Sequence, residues 1–365
     1  MEMESKMKIL VVADGIGEEI YDRAFYEALL ELGHDAHRFT WKEYYRHYQY
    51  PNRFDTDGNS IKSLYYRIQN RFITGPVTAK INSDLIKRCK QLHPDLVFIY
   101  RGTHIYPSTI RDIRKTGALV FGYNNDDPFS PEYPRYFWRH FRRSIPFYDH
   151  IFAYRWKNID DYHRMGYRKT SLLRSYYLKK NNFRSDAVQP AYACDVIFIG
   201  HFENDGRDLA IKALLDAGVD LKLFGTGWET SDLHDFFVQR FGAIKPLYHA
   251  EYNKALNSAK IALVFLSKLN NDTYTRRCFE IPATGTMMMA EYTADLAGMF
   301  EEGKDAEFFR NHDELVEKVL RYIRHPERIS EVGSTGYARL LADGHEVTDR
   351  AASVVEQYYQ CKGIN

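Results

Sequence analysis

The sequence predicts an α/β protein made of two Rossmann-like domains, and three observations carry that prediction. Short apolar runs bounded by turn residues recur along the chain, as strands buried on both faces of a parallel sheet do. Helical patterns alternate with those runs, which is the signature of βαβ units joined by right-handed crossovers. A polar, unpatterned stretch at residues 179–193, containing Pro190, separates two such series within 365 residues, a length sufficient for two cores. Two series of this kind predict lobes facing each other across a cleft that holds the ligand site. The expected domains are residues 1–180 and 181–347, with 348–365 crossing back onto the first as a helix.

Composition narrows the function. A net charge of +1 gives no global attraction to nucleic acid. Cys89, Cys194, Cys278 and Cys361 form no CxxC pair, so neither a zinc site nor a disulfide framework is expected, in keeping with a reducing, cytoplasmic setting. The N-terminal residues do not read as a signal peptide, and no apolar run approaches the roughly 20 residues that span a bilayer. The 28 Tyr and 23 Phe point to aromatic cores or to contact with carbohydrate.

Residues 8–13 (KILVVA) read as a buried strand, followed by Asp14-Gly15-Ile16-Gly17, a helix over 18–32 and a strand over 34–39. Gly15 and Gly17 resemble half a dinucleotide fingerprint whose third glycine and later acidic residue are missing. They read instead as an acceptor-side loop through which backbone approaches a ligand. Residues 41–76, rich in Tyr, Arg and His, fit either an insertion over an acceptor or an amphipathic hairpin on the sheet. Strands at 94–100 and 118–123 end in Arg101-Gly102-Thr103-His104 and in Asn124-Asn125-Asp126-Asp127-Pro128. Open α/β sheets bind ligands at such carboxyl ends, so His104, Asp126 and Asp127 are candidates for acceptor binding or general base. Turn chemistry is the plainer reading of Asp-Asp-Pro. Residues 134–150 carry four Arg among aromatics, which fits peripheral contact with the inner face of a membrane or an ordinary surface helix.

In the second half, residues 195–200 open a new strand, then come a loop at 201–206, a helix at 207–217 and a strand at 221–224 ending in Gly225-Thr226-Gly227-Trp228. A strand at 260–265 leads to the most informative stretch, residues 271–290. Asn271, Asp272 and Thr273 favour an N-cap, Gly285 suits a left-handed helix end, and Met287–Ala290 reads as a buried strand. Pro282 removes one helical hydrogen bond and predicts a tightened last turn. On that helix Arg276, Arg277 and Glu280 share a face. Free N–H groups with two guanidiniums suit a diphosphate, and a carboxylate one turn deeper suits the vicinal hydroxyls of a ribose. The bland alternative is an exposed Arg–Glu pair worth roughly 0.3–0.5 kcal/mol.

The segments Phe-Ile-Gly-His, Leu-Phe-Gly-Thr-Gly-Trp, Arg-Cys-Phe-Glu-Ile-Pro-Ala-Thr-Gly and His345-x-x-x-x-Arg350, with Arg-Gly-Thr-His-Ile and Asp-Asp-Pro-Phe in the first half, resemble the CgeB-like (spore-maturation-protein type) branch of GT-B glycosyltransferases. The resemblance implies a nucleoside-diphosphate sugar held by the C-terminal lobe and an acceptor held by the N-terminal lobe. It places the ribose-binding glutamate at Glu280 and the phosphate-binding basic residues at Arg276 or Arg277, with His201 or Arg207 as further positions beside Gly200. Gly225 and Gly227 would admit the base or diphosphate. Trp228 would stack nearby or pack in the core. Retaining members carry an acidic residue eight positions before the glutamate, here Asp272, a shortened side chain that leaves retention and inversion both open.

The implied activity is a metal-independent hexosyl- or deoxyhexosyltransferase acting on a glycan, lipid-linked saccharide or other glycoconjugate, as in polysaccharide biosynthesis. No cofactor and no metal are expected, and UDP, GDP and dTDP all remain open as the nucleotide. If the reaction inverts, Asp126 or Asp127 would deprotonate the acceptor. Two other readings stand beside this one: a metal-dependent GT-A transferase with Asp126 and Asp127 as ligands, and a non-catalytic nucleotide- or sugar-binding assembly factor on the same scaffold.

Overall fold

The computed structural model describes residues 6–45 and 61–363. They form two compact units, Met1–Arg174 with Val347–Asn365, and Ser175–Glu346. Residues 46–60, part of the aromatic stretch read above as an insertion or hairpin, lie outside the described residues.

In the first unit the elements run β1 (Lys8–Ala13), α1 (Asp22–Glu31), β2 (Asp35–Thr40), α2 (Ile61–Phe72), α3 (Pro76–Leu92), β3 (Leu96–Tyr100), α4 (Pro107–Arg114), β4 (Leu119–Asn124), α5 (Arg139–Ser144), β5 (His150–Ala153), α6 (Trp156–Arg164) and β6 (Thr170–Leu172). The strands form one parallel sheet in the order β2-β1-β3-β4-β5-β6. The direction of strand addition reverses between β1 and β3, and a crevice opens at the carboxyl ends where such a reversal occurs. Leu10, Val12, Val97, Ile99 and Val120 pack on Ile81, Leu85, Ile110 and Ile113 of α3 and α4. Elsewhere in the unit Phe25 of α1 lies against Phe98, Tyr100 and Tyr123. Here the abundant aromatics build core.

The second unit runs β7 (Cys194–Ile199), α7 (Arg207–Asp216), β8 (Leu221–Phe224), α8 (His234–Phe241), α9 (His249–Ser258), β9 (Ala259–Val264), α10 (Arg277–Ala283), β10 (Met287–Glu291), α11 (Ala294–Ala297), β11 (Glu307–Phe309), α12 (His312–Ile323) and α13 (Pro326–Ala342). Its parallel sheet has the order β11-β10-β9-β7-β8, reversing between β7 and β9. The last helix, α14 (Val347–Lys362), belongs to the first unit and packs on α1.

One expectation about a segment needs correction. Residues 179–193 do not behave as a loose linker: they are stitched along α9 inside the second unit. Asn253 Oδ1 accepts from the Phe183 amide at 3.1 Å, Asn257 Oδ1 from Ser185 at 2.7 Å and Ser258 Oγ from Gln189 at 2.9 Å. Side chains of a neighbouring helix thus supply partners that an irregular backbone lacks. The basic stretch 134–150 holds the short helix α5, a 3₁₀ turn at Ile145–Phe147 and the first residue of β5, and its Trp138, Phe141 and Tyr148 are buried in the core.

Candidate functional site

The helix α10 begins later than its cap-forming residues suggest. Arg276, in helical conformation, occupies the N-cap, and Asn271 lies in a left-handed turn at φ 52°. Asn271, Asp272 and Thr273 instead belong to a loop held by the N-cap and first turn of α11. There the Thr273 hydroxyl donates to Asp295 at 2.6 Å, and the Thr293 hydroxyl donates to the Thr273 carbonyl. The helix end is as expected. Gly285 has φ 76°, and the Thr284 and Gly285 amides reach back three residues to Ile281 and Pro282, the tight turn that Pro282 imposes.

The three predicted residues separate into distinct tasks. Arg276 Nε lies 2.7 Å from Glu280 Oε1, and the Tyr252 hydroxyl donates to Glu280 Oε2 at 2.9 Å. Glu280 is only 8% exposed, so this is not the loose surface pair of the bland reading. The carboxylate, paired with one guanidinium and one phenol, keeps acceptor capacity for a pair of ligand hydroxyls. Burial and the adjacent Glu280 carboxylate push the Tyr252 phenol well above its ordinary pKa, so it stays a donor. Arg277 turns elsewhere: its Nε donates to the carbonyl of Ile199, the last residue of β7, at 2.7 Å. Its terminal nitrogens have no protein partner among the described residues. An anchored guanidinium therefore stands at the carboxyl edge between β7 and β9, where the sheet order reverses.

Other predicted donor-site residues hold the chain itself. Trp228 is 1% exposed, packs on Phe198, Phe202 and Phe237, and donates its indole N–H to Gly200 O at 3.0 Å. It is core, and cannot stack on a base. Arg207 is buried and fixed by both oxygens of Asp205 and by the His201 carbonyl. It clamps its own loop. Gly225 and Gly227 are small for internal reasons. A Cβ on Gly225 would lie 1.8 Å from Gly200 O, and one on Gly227 2.5 Å from the His201 ring. His201 remains exposed, with Nδ1 2.9 Å from the Thr226 hydroxyl. Asp272 is half-buried, and its amide donates to Ser267 O at 2.9 Å. Along the same sheet edge a pocket of about 520 Å³ is lined by Arg207, Phe265, Glu291, Phe309 and Arg310 among others.

In the first unit the two consecutive aspartates, in the bend after β4, diverge. Asp127 is fully buried and accepts from the Phe129 amide at 2.9 Å, Lys157 Nζ at 3.0 Å and Asn158 Nδ2 at 2.7 Å. Burial raises its carboxyl pKa, but the Phe129 amide, Lys157 and Asn158 outweigh it and hold the group below its ordinary range. Asp127 is a structural anchor, not a general base or metal ligand. Asp126 turns to Arg101, whose Nη2 lies 2.9 Å away, while Arg101 Nη1 sits 3.4 Å from Asp14. These groups follow β4, β3 and β1, so the cluster occupies the reversal of the first sheet. Sequence reasoning missed Arg101 and Asp14; the left-handed φ of 55° at Arg101 has no signature in residue type. Burial, opposed by Arg101, raises the Asp14 carboxyl above its usual range. Gly15 and Gly17 follow in left-handed turns, and Asp14 accepts from the Ile16 amide at 2.9 Å.

His104 is not a catalytic base. It is buried beside the rings of Trp41 and Tyr45, its Nδ1 is 3.0 Å from the Thr103 hydroxyl, and burial lowers its pKa to about 3.

A family model described as "Glycosyl transferase-like" matches residues 207–356, from α7 into α14. No curated protein matches the chain. Among solved structures, sucrose-phosphate synthase from Thermosynechococcus elongatus superposes with a TM-score of 0.68 at 14% identity, covering 99% of this chain and 100% of that one. Anabaena HepE in complex with UDP-glucose gives 0.61 at 13%, covering 97% and 100%. A protein assigned as a UDP-N-acetylglucosamine 2-epimerase from Listeria monocytogenes gives 0.61 at 11%, covering 99% and 98%. The chain therefore has the GT-B fold, two parallel-sheet Rossmann-like units with flanking helices.

Proposed function

We propose that this protein is a glycosyltransferase of the CgeB-like type, moving a sugar from a nucleoside-diphosphate donor to a glycan or glycoconjugate acceptor without a metal. The observation that carries the reading is the division of labour at α10: Arg277 is anchored through Nε to the end of β7, its terminal nitrogens without a protein partner among the described residues, and Glu280 is held by Arg276 and Tyr252. The "Glycosyl transferase-like" match spans these residues, and UDP-glucose binding by HepE supports a nucleotide-sugar donor.

In this mechanism Arg277 neutralises charge that builds on the departing diphosphate, the step at which fixed cations contribute most. Glu280 grips the ribose hydroxyls, and Arg276 orients Glu280. In the first unit Asp126, steered by Arg101, takes the proton from the acceptor hydroxyl if the reaction inverts. Asp272 is the candidate acidic residue if it retains.

The test is steady-state kinetics of the wild type and Glu280→Ala over a panel of UDP-, GDP- and dTDP-sugars with glycan acceptors, in excess EDTA. Acceptor-dependent release of nucleoside diphosphate, weakened tenfold or more in the variant, is the expected result. Nucleotide-sugar binding without turnover would favour the assembly-factor reading. Acceptor-independent change of the sugar in UDP-N-acetylglucosamine would favour an epimerase.

A further inference from the structure

The helix α2 is apolar on two faces, and only one of them is accounted for. Its inner side carries Tyr66, packed against the first unit's core, and the buried Gln69, whose side-chain carbonyl accepts from the Val77 amide at 2.9 Å; the turn after it buries Ile73. Its outer side presents Leu64, Tyr65, Ile68 and Phe72, each between 41% and 55% exposed. Positions 64, 65, 68 and 72 lie on one stripe of a helix, so these side chains form a continuous surface. Arg67 and Arg71, four residues apart, are exposed along it.

The neighbouring basic stretch completes this surface. Arg139 donates to the carbonyls of Phe72 and Ile73 at 2.9 and 2.8 Å, and the Tyr136 ring lies tilted against Phe72 with centroids 5.1 Å apart. Exposed Arg135 and Arg143 lie in the same stretch. Residues 64–76 and 134–148 together hold six arginines and no Asp or Glu, in a chain of net charge +1. Positive charge is thus gathered around the exposed apolar stripe.

We propose that this face docks on an anionic lipid bilayer, with Leu64, Tyr65, Ile68 and Phe72 entering the headgroup–acyl boundary and the arginines meeting lipid phosphates. Long basic side chains around aromatic and aliphatic groups suit that interface. The stripe is too small for a stable protein partner: α2 has 12 residues, about 18 Å of helix, against roughly 20–30 residues a side in a stable complex. No helix among the described residues is long and apolar enough to cross a membrane, so the contact is peripheral. The proposal stands apart from the glycosyl-transfer reading and is tested without an activity assay.

The experiment is co-sedimentation of the full chain with phosphatidylcholine vesicles, with and without phosphatidylglycerol, at low and high salt. Binding should require phosphatidylglycerol and weaken with salt. Arg67→Gln/Arg71→Gln should weaken it about tenfold or more. Leu64→Ser/Ile68→Ser should abolish it while circular dichroism matches the wild type. The double arginine variant, altered only at exposed positions, keeps the test decisive if the serine variant misfolds. No binding to phosphatidylglycerol vesicles, or binding unchanged in the arginine variant, overturns the proposal. So does lipid-free, concentration-dependent dimerisation lost on changing Leu64 and Ile68, which would assign the stripe to a second copy, or retention by an acidic protein in place of vesicles.

Discussion

At the carboxyl edge of the first sheet one guanidinium, Arg101, is shared by two carboxylates, Asp14 and Asp126. At the corresponding edge of the second sheet one carboxylate, Glu280, accompanies two guanidiniums, Arg276 and Arg277. The same architecture therefore presents opposite charge at its two reversal points. A net cationic edge suits a diphosphate; a net anionic edge suits a hydroxyl that must lose a proton. One fold can divide donor and acceptor chemistry in this way by placing a few side chains just past its strands.

The division can be broken most sharply at Asp126. If the reaction inverts, Asp126→Asn should lower turnover about 10²–10⁴-fold while leaving donor affinity, measured by calorimetry with a non-transferable donor, unchanged; an equal loss of donor affinity would erase the distinction between the edges. Next, Arg277→Gln should cost about 10²–10³-fold in kcat/KM for donor, with nucleoside-diphosphate inhibition weakened in parallel. Tyr252→Phe leaves Glu280 one partner short and should raise donor KM about fivefold with kcat little changed.

A separate effect, on stability and not on turnover, concerns His104, which belongs to neither edge. Its folded pKa is about 3 against an ordinary 6.5, so between those values the unfolded chain binds more protons. Stability should fall as pH drops through that window, by at most ~1.4 kcal/mol per unit. In His104→Leu this contribution should vanish from the acid limb of denaturation midpoints, with activity at neutral pH retained.

Much of the fold was legible because buried parallel strands write themselves as apolar runs. KILVVA is β1 to the residue, and Met287–Ala290 lies within β10. Around Glu280 the sequence indicated the helix and its charged face but not Tyr252, 28 residues earlier, because that contact is made by packing α9 beside α10. Arg101 and Asp14 were hidden for the same reason: 87 residues separate them, and only the adjacency of β1 and β3 joins them. Trp228, Arg207 and Asp127 went the other way. Each is a residue type suited to binding that is consumed inside the protein, Trp228 and Asp127 by partners 28, 30 and 31 residues away and Arg207 by its own loop.

The helix α14 buries Val347, Ala351, Val354, Val355 and Tyr358 and rests on α1. During synthesis the first unit thus waits for residues 347–362 to leave the ribosome, while the second can close beforehand. A nick or frameshift just before residue 347 would strip a wall from the earlier-made unit and leave the later-made one whole.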